Sequence, residues 1–153
     1  MAGHDRITPQ GRRFYAEIDQ LKKLQVRVGF QSGDATDDNG VDIANIAMFN
    51  EVGTAHIPSR PFLRQSIDNN GPAVNAACRE AIGGLSSGQS AEGILNAVGV
   101  MQRGLVQKEI SSGNFAPNAP ATILRKKSDR PLIDTGRMRQ SVNYFIVPKG
   151  SRD

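Results

Sequence analysis

The apolar positions of the chain recur with two different periods. From Arg12 to Leu24, Phe14, Ile18 and Leu21 are spaced four and three apart, which is one stripe of a helix with Lys22 and Lys23 outside it. From Gln25 to Phe30 the period drops to two, with Val26, Val28 and Phe30 alternating against Arg27 and Gly29, and this predicts a strand with one buried face. Gln31 to Gly40 is a loop of Gly, Ser, Asp and Asn. A second helix is predicted over Val41–Val52, where Ile43, Ile46, Ala47 and Asn50 form one face and Met48, Phe49 and Val52 widen it. Gly53 is placed to end that helix with a positive φ.

Thr54 to Pro58 reads as short and extended, and Arg60-Pro61 opens a helical stretch through Phe62, Leu63, Ser66 and Ile67. Gly71-Pro72 interrupts it, and Ala73 to Ile82 resumes with Val74, Ala77, Cys78 and Ala81 on one face. Gly83 to Ser90 has the composition of a linker. Ser90 then caps the longest helix, about 91–111, whose stripe is Ile94, Leu95, Val98, Met101, Leu105 and either Val106 or Ile110. After a Pro-containing loop from Asn114 to Pro120, Ala121 to Lys127 predicts a helical turn.

The chain closes on Arg130-Pro-Leu-Ile-Asp-Thr-Gly-Arg-Met-Arg-Gln-Ser-Val142. Pro131 forces an extended approach, and Asp134 or Thr135 is an N-cap for a short helix from Gly136 to Gln140. Ser141 to Val147 alternates as a strand covered on both faces. Turn, cap, two arginines and strand together read as a docking element. The order of elements predicts an α+β fold, several helices on a small β-sheet that includes strands near 26–30 and 141–147. Residues 1–11, polar with Pro9 and Gly11, read as a flexible arm, 12–147 as a single domain and 148–153 as a tail.

Composition adds little to this picture, and charge adds more. At 153 residues the chain is long enough to bury a core without staples, and one cysteine, Cys78, excludes an internal disulfide. No apolar leader segment and no run near the roughly 20 residues of a membrane span is present, so synthesis in the cytoplasm and no membrane partner are expected. The net charge of +4 conceals a polarity along the chain. Residues 31–59 carry no Lys or Arg but hold Asp34, Asp37, Asp38, Asp42 and Glu51, a net of −5. Residues 121–153 hold Arg125, Lys126, Lys127, Arg130, Arg137, Arg139, Lys149 and Arg152 against three Asp, a net of +5. A bipolar chain suits complementary protein contacts, between copies among others, better than a dedicated nucleic-acid face.

Enzyme chemistry finds no support in these residues. Aligning Gly40 with the invariant glycine of an EF-hand puts Ala35 and Ile46 where carboxylates are required, so the acidic loop predicts no calcium site. His4 and His56 supply neither a zinc cage nor a nucleophile–base pair, and Cys78 sits on an apolar stripe as a small hydrophobe. No Gly-rich phosphate loop follows a strand. No cofactor and no metal are expected. Glu51 and Arg60 are candidates for a structural ion pair, or for an exposed pair worth under about 1 kcal/mol. The run Arg125-Lys-Lys-Ser-Asp-Arg130 lacks interleaved aromatic residues for base stacking, and a basic DNA-binding accessory protein stands as the alternative reading.

Two motifs go beyond this generic description. One is Ile46-Ala-Met-Phe-Asn-Glu-Val-Gly-Thr54 leading to Ile57-Pro-Ser-Arg-Pro-Phe-Leu-Arg64. The other is Ala119-Pro-Ala-Thr-Ile-Leu-Arg125 leading to Pro131-Leu-Ile-Asp-Thr-Gly-Arg-Met-Arg-Gln-Ser141. In this order and spacing they resemble the neck and tail-completion proteins of tailed bacteriophages, including the minor tail protein Z group and the virion-morphogenesis families. The resemblance spans roughly residues 41–145. It implies a structural protein of the virion, a homo-oligomeric ring (a hexamer or dodecamer) in the neck, completing the tail or joining it to the head connector. The implied partners are other copies, a head-side connector and tail proteins, with DNA only in transit through a lumen, and no catalytic residues. For such a ring Asp34, Asp37, Asp38, Asp42, Arg125, Lys126, Lys127, Arg130, Arg137 and Arg139 are the candidate inter-subunit or lumen contacts, with the acidic segment 31–59 and the basic segment 121–153 as candidate complementary patches.

Overall fold

The computed structural model of the chain describes residues 6–152, and within them seven helices and two strands form an α+β fold. Helix α1 spans Pro9–Lys23, with Thr8 as N-cap accepting from the Gly11 amide at 3.1 Å and Pro9 at the first helical position. It begins inside the segment read as an arm. A proline there lacks only an N–H that would be an orphan anyway, so it starts the helix and does not delay it. Residues 1–5 of that expected arm lie outside the described residues.

Strand β1, Leu24–Gly29, pairs antiparallel with β2, Asn143–Pro148, with Val26 opposite Ile146 and Arg27 opposite Phe145. The sheet closes the fold by joining the strand that directly follows α1 to the last element of the chain. The expected tail is fastened to the same place: the Lys149 amide donates to the Lys23 carbonyl at 2.8 Å, and the Arg27 guanidinium donates to the Ser151 carbonyl.

Between the strands run α2 (Ile43–Val52), α3 (Phe62–Asp68), α4 (Gly71–Ser86), α5 (Ala91–Ser112), α6 (Pro120–Lys126) and α7 (Arg137–Gln140). Helix α5 is the central member, packing against α3, α4, α1, α7 and both strands. Ser90 caps it as expected, accepting from the Gly93 amide at 3.1 Å. The linker expected from Gly83 is helical through Ser86, and only Ser87–Ser90 leave the helix. Gly84 lies inside that helix, and its carbonyl accepts from the amides of Ser87 (3.1 Å) and Gln89 (2.9 Å) where the helix ends.

The main core joins Ile43 and Ala47 of α2, Phe62 of α3, Val106 and Ile110 of α5, then Leu132, Met138 and Val142. Phe62 is fully buried and meets Phe30 edge-to-face at 5.9 Å. Both sequence motifs therefore feed one core. None of the described helices is long and apolar enough to cross a membrane.

Candidate functional site

The first motif folds as a self-bonded loop around the end of α2. Gly53 ends the helix at φ 78°, where its amide still donates to Phe49, and a Cβ there would meet the Ser59 amide at 2.8 Å. Only glycine satisfies both conditions. Thr54 Oγ1 accepts from the amides of His56 (3.2 Å) and Ile57 (3.0 Å), and Ser59 Oγ donates to the Glu51 carbonyl at 2.8 Å. The polar residues of the motif thus satisfy backbone groups that a tight loop would otherwise strand.

Glu51 and Arg60 do not pair with each other. The Glu51 carboxylate accepts from the amides of Leu63 (2.9 Å) and Arg64 (3.1 Å), capping α3 from outside its own sequence. Arg60, only 5% exposed, donates from Nε to the Ala116 carbonyl (2.8 Å) and through its terminal nitrogens to Asn50 Oδ1 (3.1 Å), the Pro117 carbonyl (3.1 Å) and Asn118 Oδ1 (3.3 Å). Charge signs nine residues apart suggested a pair, but free backbone groups nearer at hand took both partners.

The second motif lies directly across from the first. Leu132 and Met138 are buried in the core, and Gly136 at φ 80° is the N-cap of α7, without a side-chain cap. The expected caps Asp134 and Thr135 are both exposed, because the chain turns into the helix one residue later than the cap rule places it. Gln107 donates to the Arg139 carbonyl at 3.2 Å and fixes α7 to α5.

Between the motifs opens a groove of about 420 Å³. Its walls are Ile43, Ile46 and Asn50 of α2, the loop residues His56 to Pro58 with Arg60, Thr122, Arg125 and Lys126 of α6, and the segment from Pro131 to Met138. Asp37 and Asp38 stand at its edge, with Asp134 among the lining residues. The two motifs, far apart in sequence, are one feature in space.

The acidic loop is not a free acidic face. Asp37 accepts from the amides of Val41 (2.8 Å) and Asn39 (2.9 Å). Asp42 caps α2 through Ala44 (3.0 Å) and also accepts from Ser32 Oγ (2.7 Å) and the Gly33 amide (2.9 Å). The Val41 amide lowers the Asp37 carboxyl below its ordinary value, with Asn39 and the charge of Arg137 adding to the effect. Asp42 is lowered by Ser32 first, then by the Gly33 and Ala44 amides. Asp38 pairs with Arg137 at 2.7 Å, and Arg137 also donates to the Thr36 carbonyl at 3.3 Å. Complementarity expected between copies is therefore partly satisfied inside one chain. Asp34 remains exposed.

Of the basic residues, Arg125 and Lys126 line the groove, and Lys126 donates to the Arg130 carbonyl at 3.3 Å. Lys127 ends α6 in the left-handed region at φ 52° and is exposed, as are Arg130 and Arg139. Sequence reasoning missed Asn50 and Asn118 as a pair. Asn118 is 9% exposed, accepts from Arg60 and donates to the Arg130 carbonyl at 3.2 Å, so it links the two motifs. A polar residue flanked by Pro117 and Pro120 in a loop was the only signal for it.

Among the described residues, no group of three or more His, Cys, Asp or Glu is placed to hold a metal ion. No family model, curated protein or solved structure matches the chain.

Proposed function

We propose that this chain is a structural virion protein of a tailed bacteriophage, forming a ring in the neck that completes the tail or joins it to the head connector. One observation carries the reading: the two motifs that resemble those proteins converge on a single groove and a single core. The outer face of α2 supports the same reading. Met48, Phe49 and Val52 are 50%, 40% and 67% exposed on a helix that is apolar nearly all round, a pattern of surfaces that other chains cover. The protein then acts by stoichiometric assembly, contacting its own copies, a connector on one side and tail proteins on the other, without catalysis. A ring needs two different complementary patches on each subunit.

The second reading is a basic DNA-binding accessory protein, favoured by the exposure of Arg125, Lys127, Arg130 and Arg139 on the C-terminal third. Light scattering with negative-stain imaging of the purified protein separates the two. Rings, with the protein recovered from purified particles, are the expected result. A monomer that binds arbitrary duplex DNA with steep salt dependence would overturn the first reading in favour of the second.

A further inference from the structure

Arg60 is the point from which the groove can be read as a binding site. Its guanidinium is buried, and every partner it has is a neutral oxygen: two backbone carbonyls and the side-chain oxygens of Asn50 and Asn118. Each guanidinium nitrogen has a partner, but four hydrogen bonds drawn from five N–H groups leave one N–H of Nη1 without an acceptor among the described residues. No carboxylate among the described residues lies within ion-pair distance of it. Buried charges are ordinarily paired, because desolvation of an ion costs far more than neutral dipoles return.

Two further cations share the same walls. Burial holds the Lys126 ammonium below the usual lysine range; Asp134 opposes that shift, and the charges of Arg60 and Arg125 add to it. The other carboxylates at the groove are already engaged, Asp38 by Arg137 and Asp37 by the amides of Asn39 and Val41. Between the cations the walls are apolar, with Ile43, Ile46, Ile57, Pro58 and Leu132.

We propose that this groove receives an acidic segment of a partner protein, with one carboxylate seated against Arg60, Arg125 and Lys126 and its apolar neighbours on the isoleucine and proline walls. A carboxylate suits the site because it brings the missing negative charge and accepts from several donors at once. The cation at the floor is recessed, whereas duplex phosphates are met by protruding side chains, and no Phe, Tyr or Trp ring lines the groove for base stacking. Asp37, Asp38 and Asp134 at the walls repel a polyanion more than they repel a single carboxylate. The inference does not rest on the ring reading, since a monomer suffices to bind a peptide.

The test titrates the full-length protein with a fluorescent peptide carrying a single Glu among leucines and serines, against the same peptide carrying Gln for that Glu. Anisotropy is expected to rise with the first and not with the second. The side-chain amide resonances of Asn50 and Asn118 are expected to shift during the titration. Combining Arg125→Gln with Lys126→Gln, at an unchanged melting temperature, is expected to weaken binding about tenfold or more, the loss of charge-assisted bonds. Equal binding of the glutamine peptide would overturn the proposal. So would Asn50 and Asn118 resonances that stay still while others move, or duplex DNA that displaces the peptide and binds more tightly.

Discussion

The two halves of α5 are packed in different ways, and the difference separates the part of the molecule that holds the fold from the part that completes it. The C-terminal half carries Val106 and Ile110 into a core with Phe62, Leu132, Met138 and Val142, all nearly inaccessible. The N-terminal half meets α4 and α1, where Leu85, Ala91 and Ile94 are buried but Val74, Ala77, Cys78 and Ala81 are only partly covered. Helix α1 has no fully buried residue, and it is held to α5 partly by polar means, with Glu17 accepting from the Ala91 amide at 2.8 Å. Large, branched and aromatic side chains make the first region rigid, and alanines at half-burial leave the second loosely filled. The groove sits on the rigid region, which is where pre-positioned donors need to be.

The largest effect that sharpens this contrast is expected from Phe62→Ala. The ring is fully buried and in contact with Phe30, so its removal leaves a cavity among residues that cannot close it, at a cost of about 3–5 kcal/mol. Leu85→Ala, in the looser half, removes a similar kind of side chain but can relax into α4 and α1, and about 2–3 kcal/mol is expected. Urea unfolding of the two variants checks this. Equal losses, or a larger one for Leu85→Ala, would remove the distinction between the halves.

A middle-sized effect is expected where the halves meet. Gly99 lies under the Tyr144 ring of β2, and a Cβ there would come within 2.3 Å of Cδ2 and 2.7 Å of Cγ. Those atoms are near the root of the side chain, so the whole ring must move. It would then lose the hydrogen bond from Tyr144 Oη to Asn96 Oδ1 at 3.2 Å and the stacking of Arg103 at 5.7 Å. Gly99→Ala therefore destabilises by about 1–3 kcal/mol, although alanine is the better helix former by about 1 kcal/mol. A stabilised variant in thermal melting would mean that the sheet is not seated on α5 at this point.

Periodicity and capping made the outline of the fold legible: the Ser90 cap, the stop at Gly53, both strands and the position of the longest helix follow from local rules. What local rules missed depended on distant partners. Gly83 and Gly84 read as a linker because glycine is weak in an isolated helix, yet both lie inside α4, whose last turn is closed by the Ser87 and Gln89 amides on the Gly84 carbonyl. Glu51 and Arg60 read as a pair because their charges are visible in sequence, whereas the orphan amides of α3 and the carbonyls of Ala116 and Pro117 are not. Of the groove, sequence contributed the two motifs and the residues Arg125, Lys126 and Arg137, but not that they share a wall. The acidic loop was legible as charge and illegible as capping, since both look alike until the backbone is placed.

That loop gives the smallest expected effect, and it bears on the edge of the rigid region. Asp37 and Asp42 are held below their ordinary value of 3.8 by hydrogen bonds to the charged form. A lowered folded value means that the folded state favours the ionised carboxylate, so the stabilisation is complete above the unfolded value and is lost as pH falls through the folded one. The melting temperature is therefore expected to hold steady down to about pH 4 and to decline below it. In Asp42→Asn part of that decline should vanish, because the variant lacks the ionised cap at every pH, and it should melt slightly lower than the parent at pH 7. Amide exchange locates the effect: Gly33 and Ala44, which donate to Asp42, should lose protection in acid before Val106 and Ile110 do. If the variant's acid decline matched the parent's, Asp42 would not be what ties the loop to α2, and the groove's edge would depend on Asp37 and the Arg137–Asp38 pair instead.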